Sequence, residues 1–153
     1  MTRMTDLLDR IPRDCLPAPG QRTLCAVSGG LDSMCLLDLL ERWRQERGGT
    51  VFAAHFNPCL REAADRDEAF VRDFCARRGI PLTVGRGDVA GLARREGRST
   101  EEAARILRYD FLKKTAEAEA CGVICTAHHA GDSAETLLLN LIRGTGLRGL
   151  TGI

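Results

Sequence analysis

No run of about 18 consecutive apolar residues, the length that crosses a bilayer, occurs in this sequence, and no basic-then-apolar leader opens it. Neither export nor a membrane span is expected, and the chain reads as cytoplasmic. Charge of one sign is lacking too. The 22 basic and 21 acidic residues leave a net charge of +1, so bulk electrostatics neither demands nor excludes nucleic acid, and any RNA contact must come from local patches. There is no Cys-x-x-Cys pair of the kind that opens a zinc site, although the chain has seven cysteines. An odd number scattered through apolar segments (Cys25, Cys35, Cys75, Cys121 and Cys125) gives no disulfide framework and reads as buried thiols in a reducing compartment.

What the sequence does contain is a regular alternation. At 153 residues it makes about one domain with a real core. Strands are expected at 23–27, 50–55, 82–86 and 123–127. Helices are expected at 33–47, 65–78, 88–95 (weakly), 100–118 and 133–143. Gly79-Ile80-Pro81 stops the second helix, and Ser99-Thr100-Glu101-Glu102 is a capping box for the fourth. Strands separated by helices of this length imply an α/β, Rossmann-like parallel sheet with helices on both faces. Residues 1–19 read as a helical lead-in and 20–153 as the nucleotide-binding domain. Ligands of such sheets lie beyond the carboxyl ends of the strands. Three polar segments fall there: Ser28–Ser33, His55–Arg61 and His128–Thr136.

The first of these carries the most chemistry. Ala26-Val27-Ser28-Gly29-Gly30-Leu31-Asp32-Ser33 sets two glycines and flanking hydroxyls between a strand and an apolar helix. Both glycines are expected to take positive φ and bring backbone N–H groups close to an anion at the helix N-terminus. The lysine of the G-x-x-x-x-G-K-[ST] loop is missing, and Asp32 stands in its place. A carboxylate beside phosphates is repulsive unless a divalent cation lies between them, so the loop itself argues for Mg²⁺. The plainer reading is a Gly-Gly turn with Asp32 or Ser33 as helix N-cap. Asp132 with Glu135 is equally a capping pair, and the same pattern at Asp65 and Glu68 reads as a cap only. His55 at a strand end is a core or loop histidine as readily as a ligand. His128 and His129, adjacent on a loop, lack the spacing of a tetrahedral zinc site. Cys121 and Cys125 read as core packing.

Taken together, these residues resemble a known family. Ala26–Ser33 matches the SGGxDS loop of the N-type ATP pyrophosphatases, the PP-loop family with an adenine nucleotide alpha-hydrolase-like fold. Four further segments are similar to the tRNA(Ile)-lysidine synthetases: His55-Phe56-Asn57-Pro58-Cys59-Leu60-Arg61, Glu101 to Leu112, His128 to Thr136, and Asn140 to Leu150. The resemblance covers about residues 20–153. It implies an enzyme that adenylates the wobble cytidine of a tRNA(Ile) with a CAU anticodon, releases pyrophosphate, and lets free L-lysine displace AMP to give lysidine. ATP is then held by Ser28, Gly29, Gly30, Leu31, Asp32, Ser33, Ala54, His55, Arg108, His128, Arg143 and Gly144, and Mg²⁺ by Asp32 and Asp132. Asp32, His128, Asp132 and Arg108 carry the catalytic work, whereas Arg105 reads as a solvated surface charge. A homodimer is left open.

The chain departs from the family pattern at Pro58 and Cys59, where histidine and glycine are usual, and at Gly131 and Ser133, where aspartate and glutamine are usual. Family members continue past Ile153, so the chain is expected to be a fragment carrying the nucleotide half of the site. Two other functions fit in part. A tRNA thiolase of the same superfamily shares the loop but needs paired reactive cysteines or an iron–sulfur cluster. A non-catalytic nucleotide-binding module is favoured by Pro58 and Gly131.

Overall fold

The computed structural model describes residues 8, 10–129 and 137–143, and the backbone alone at 128, 129 and 137–143. Beyond a single 3-10 turn at Arg13–Cys15, the elements alternate as β1 (Arg22–Ala26), α1 (Leu31–Arg47), β2 (Thr50–Asn57), α2 (Glu62–Arg78), β3 (Leu82–Arg86), α3 (Val89–Glu96), α4 (Thr100–Ala118), β4 (Val123–His129) and β5 (Leu137–Arg143). The sheet order is β3-β2-β1-β4-β5. The first four strands are parallel, with Leu24 opposite Phe52 on one side and Ile124 on the other. Strand order reverses at β1, and that reversal is where an open α/β sheet forms its ligand crevice.

Both faces of the sheet are covered. On one, Cys25, Val27, Val51, Ala53 and Cys125 pack against Leu36, Leu37 and Leu40 of α1 and Val71 and Cys75 of α2. On the other, Leu24, Ala54 and Ile124 pack against Leu112 and Ala116 of α4. Strands sandwiched this way are buried along their length rather than alternately, which is why β1 reads as a continuous apolar run. β3 stays close to α4 because Gly85 has no side chain there. A Cβ at Gly85 would sit 2.5 Å from the Phe111 ring.

Three expectations are corrected. Residues 137–143 form a strand antiparallel to β4 rather than the end of a helix. A short, mostly apolar segment such as Leu137–Arg143, with only Asn140 and Arg143 polar, does not distinguish a strand from a buried helical segment by periodicity. Pairing with that strand also carries β4 on to His129, so His128 and His129 end a strand rather than sit on a loop. Finally, Cys35 is exposed, as are Cys59 and Leu31, whereas Cys25, Cys75, Cys121 and Cys125 are buried. Leu31, Cys35 and Arg42 share the outward stripe of α1, opposite Leu36, Leu37 and Leu40.

Candidate nucleotide site

The segment between β1 and α1 is held by its own hydroxyls. Val27 N–H donates to the Ala54 carbonyl at 2.8 Å, which carries β1 pairing into the loop. Ser33 Oγ accepts from Ser28 N at 3.0 Å and donates to the Gly30 carbonyl at 3.0 Å, while Gly30 N donates to Ser28 Oγ at 3.2 Å. The loop is therefore a closed turn fixed before any ligand arrives. Gly29 has φ of +90°, and a Cβ there would lie 3.2 Å from Asp67 Cβ. Gly30 has φ of −73° and serves as N-cap of α1, so only one of the two glycines has the positive φ expected of both. Neither Asp32 nor Ser33 is the N-cap, and no side chain caps the helix. An anion can occupy the place that a cap would fill, where the first-turn N–H groups and the helix dipole favour it.

Beside this loop, beyond the carboxyl ends of β1, β2 and β4, lies a cavity of about 270 Å³. Ser28 and Ser33 border it on one side. Ala26, Ala54, Phe56 and Leu112 supply apolar wall, and Arg61, Asp67, Arg108 and Tyr109 supply charge and an aromatic ring. The Arg108 guanidinium lies 5.5 Å from the centre of the Tyr109 ring and that of Arg105 lies 5.7 Å from it, so Arg105 stacks on an aromatic ring while remaining exposed. His55 is 3% exposed and lines the cavity. Its Nδ1 is 2.7 Å from the Val27 carbonyl, which makes Nδ1 the protonated nitrogen and leaves Nε2 an acceptor. Among the described residues, Nε2 is the one buried side-chain polar atom without a hydrogen-bond partner. An unpaired buried acceptor is costly, and a ligand with a donor relieves it.

Next to the cavity, the turn after β2 is tied down by a buried amide. Asn57 is fully buried and uses its whole side chain: Nδ2 donates to Asp65 at 3.0 Å and to Glu68 at 2.9 Å, and Oδ1 accepts from Cys59 N at 2.9 Å. Glu68 is 4% exposed and also accepts from Arg72 and Arg86, each at 3.1 Å. The Asn57 hydrogen bond, with help from Arg86 and Arg72, lowers its pKa to about 2 against the opposing effect of burial. Asp65 and Glu68 are thus not a helix cap. Arg61 is the N-cap of α2, and both acids sit inside the helix facing Asn57. The D-x-x-E spacing matches either arrangement, because residues three apart share a helix face.

Of the expected site residues, Ser28, Ser33, Ala54, His55 and Arg108 converge on the cavity. Gly29, Gly30, Leu31 and Asp32 lie in the adjoining loop and first turn without lining it. Asp132 and Gly144 fall outside the described residues, and for His128 and Arg143 only strand positions are described. Asp67 and Thr126 line the cavity although nothing in the sequence singled them out, and Phe56 and Tyr109 line it from within the family-like segments without having been named as site residues. Asp67 lies one helical turn beyond Ala63 and Ala64, a spacing that places it on the loop side only once the fold is known. Among the described residues no group of three or more His, Cys, Asp or Glu is arranged to hold a metal. Burial raises the Cys75 and Cys121 thiols to about 11 and Cys125 to about 12, so these are structural thiols rather than nucleophiles.

A family profile described as the PP-loop domain matches residues 3–153. The chain belongs to the PP-loop domain family. That family uses ATP. Among curated proteins, the chain is 39% identical over 151 residues to a tRNA(Ile)-lysidine synthase of Clostridium acetobutylicum, covering 98% of this chain and 33% of that one. It is 45% identical over 147 residues to a tRNA(Ile)-lysidine synthase of Chlorobaculum tepidum, covering 95% and 44%. A third, from Clostridium tetani, is 44% identical over 135 residues, covering 88% and 29%. The chain spans between 29% and 44% of the length of these relatives.

Two solved structures share the PP-loop fold at 16% identity. The U34-tRNA thiolase NcsA of Methanococcus maripaludis, with its [4Fe-4S] cluster, aligns with a TM-score of 0.65 over 80% of this chain and 43% of that one. An NH3-dependent NAD synthetase from Campylobacter jejuni aligns at 0.54 over 80% and 52%. At that identity they bear on the fold alone.

Proposed function

We propose that this chain supplies the ATP site of a tRNA(Ile)-lysidine synthase. The observation that carries the reading is the cavity itself: a fixed hydroxyl-and-amide loop at a helix N-terminus, beside a largely apolar chamber lined by His55, whose buried Nε2 has no hydrogen-bond partner. That combination fits a nucleotide, with phosphates on the loop, the base against Ala54 and Phe56, and a donor of the base or ribose on His55. The relatives named tRNA(Ile)-lysidine synthase, at 39% to 45% identity, turn a nucleotide site into a particular reaction.

In that reaction the carbonyl oxygen of the wobble cytidine attacks the α-phosphorus of ATP and pyrophosphate leaves. The ε-amine of free L-lysine then displaces AMP from the cytosine ring. The loop amides hold the departing pyrophosphate, and Arg108 offsets charge that develops at the α-phosphate. Arg143, His128 and Gly144 complete the nucleotide contacts. Asp32 and Asp132 would hold Mg²⁺, which would offset the charge of the phosphates. Magnesium is commonly held by one or two carboxylates together with the substrate's own phosphates, so a preformed cage is not required. The cytoplasm is where such a tRNA reaction takes place.

The experiment is incorporation of labelled lysine into a tRNA(Ile) transcript with a CAU anticodon, with omission of ATP and an Asp32→Asn variant as controls. Lysine incorporation that requires ATP and Mg²⁺ and drops at least about tenfold in Asp32→Asn, the scale of losing one metal ligand's charge stabilisation, is the expected result. ATP binding with no tRNA-dependent pyrophosphate release points instead to a nucleotide-binding module.

A further inference from the structure

Asn57 is fully buried, yet its job is to hold an exposed turn. Its Oδ1 takes the N–H of Cys59, a residue with φ of +54°, whose Sγ also donates to the Asn57 carbonyl at 3.7 Å. The two flanking residues of this turn that matter, Pro58 and Arg61, both line the nucleotide cavity. Asn57 is in turn aimed by buried Glu68, with exposed Asp65 as a second acceptor, and these carboxylates fix which end of the amide donates, since only the Nδ2 end can meet them. Glu68 reaches across three elements: Asn57 at the end of β2, Arg86 at the end of β3 at 3.0 Å, and Arg72 one turn along its own helix at 3.0 Å. A buried carboxylate kept charged by two exposed arginines is an expensive way to fasten a helix to a sheet. It is an economical way to set the orientation of a buried amide.

We infer that Glu68 is a positioning residue for the nucleotide site: by orienting Asn57 it fixes the turn that delivers Pro58 and Arg61 to the cavity. The inference rests on the cavity being the ATP site. Glu68 touches no substrate atom and acts through the chain Glu68–Asn57–Cys59 N–H. Glu68→Gln keeps the size of the side chain but brings an amide that cannot accept from Asn57, Arg72 and Arg86 together. The turn then loses its fixed geometry while the hydrophobic packing of α2 through Val71 and Cys75 remains.

Two readouts on the folded protein decide it. The first needs no nucleotide: hydrogen exchange of the Cys59 amide, followed by NMR, is expected to rise about tenfold in Glu68→Gln relative to amides of β1, as befits local rather than global opening. Equal protection in variant and wild type overturns the inference. The second is ATP affinity in a double-mutant cycle. Glu68→Gln and Arg61→Ala are each expected to raise Kd about tenfold, the scale of a small misplacement of a binding group, and the double variant to be no worse than Arg61→Ala alone. Additive losses, or unchanged affinity in Glu68→Gln with a lowered Tm, overturn it in favour of a structural role. If Glu68→Gln does not fold, Glu68→Asp, which shortens the reach but keeps the charge, is read in the same way. A wild-type chain that fails to bind ATP refutes the functional reading, and the exchange measurement then still decides the clamp.

Discussion

Single residues set the character of this site more than its overall composition does. Gly29 is the clearest case, because its φ of +90° strains any side chain and an added Cβ would lie a tight 3.2 Å from Asp67 Cβ. Gly29→Ala is expected to cost about 1–2 kcal/mol from the left-handed backbone alone and to weaken ATP binding at least about tenfold. Gly30, at φ −73° with only Ser28 Oγ at 3.3 Å, should tolerate alanine with a smaller loss. Equal ATP affinities for the two alanine variants, measured by titration calorimetry, would contradict this ranking. Glu68 gives a prediction in pH. Its pKa of about 2 in the folded state lies below the usual value of 4.5, so its contribution is fully present above about pH 5 and is lost as pH falls towards 2. The difference corresponds to up to about 3 kcal/mol. Urea midpoints compared between pH 7 and pH 3 should fall further for wild type than for Glu68→Gln, and parallel curves would refute it.

At the scale of elements, the helix α4 carries Arg108, Tyr109 and Leu112 to the cavity, so its own start matters to the site. Ser99 Oγ accepts from Glu102 N at 3.1 Å, the N-cap half of the capping box expected from Ser99-Thr100-Glu101-Glu102, while the Glu102 carboxylate pairs with Arg98 at 2.6 Å. Ser99→Ala is expected to destabilise the fold by about 1 kcal/mol, read as a lowered Tm, with ATP affinity unchanged. Most elements were legible because their signals are local: the αL stop at Gly79, the cap at Ser99 and the apolar run of β1 each need only neighbouring residues. The strand at 137–143 was not, because its apolar run suits helix and strand alike and pairing with β4 decides. The outward position of Cys35 was hidden by the broad apolar content of α1. Of the residues that line the cavity, Ser28, Ser33 and His55 were marked by their places after β1 and near the end of β2, whereas Ala54 entered only through the family resemblance and Arg108 from its face of α4. Glu68 and Asp67 were not readable, because an acidic pair near a helix start looks the same whether it caps the helix, clamps an asparagine or borders a cavity.

For the molecule as a whole, the parallel order β3-β2-β1-β4 brings the ends of β1 and β2 together with α4 around one cavity, and the PP-loop family assignment agrees with that placement. No helix among the described residues is long and apolar enough to cross a membrane. A net charge of +1 offers little long-range attraction for RNA, so contact with the proposed tRNA substrate would have to come from local basic patches. The central claim is that ATP occupies the cavity beside Ser28–Ser33, and an ATP titration of the isotopically labelled protein followed by NMR tests it most directly. Saturable shifts are expected at the amides of Ser28 to Ser33 and at His55 Nε2, with the resonances around Trp43, toward the C-terminal end of α1 in a separate cluster with Leu8 and Leu16, unmoved. Saturable shifts that leave the 28–33 amides and His55 untouched would contradict it.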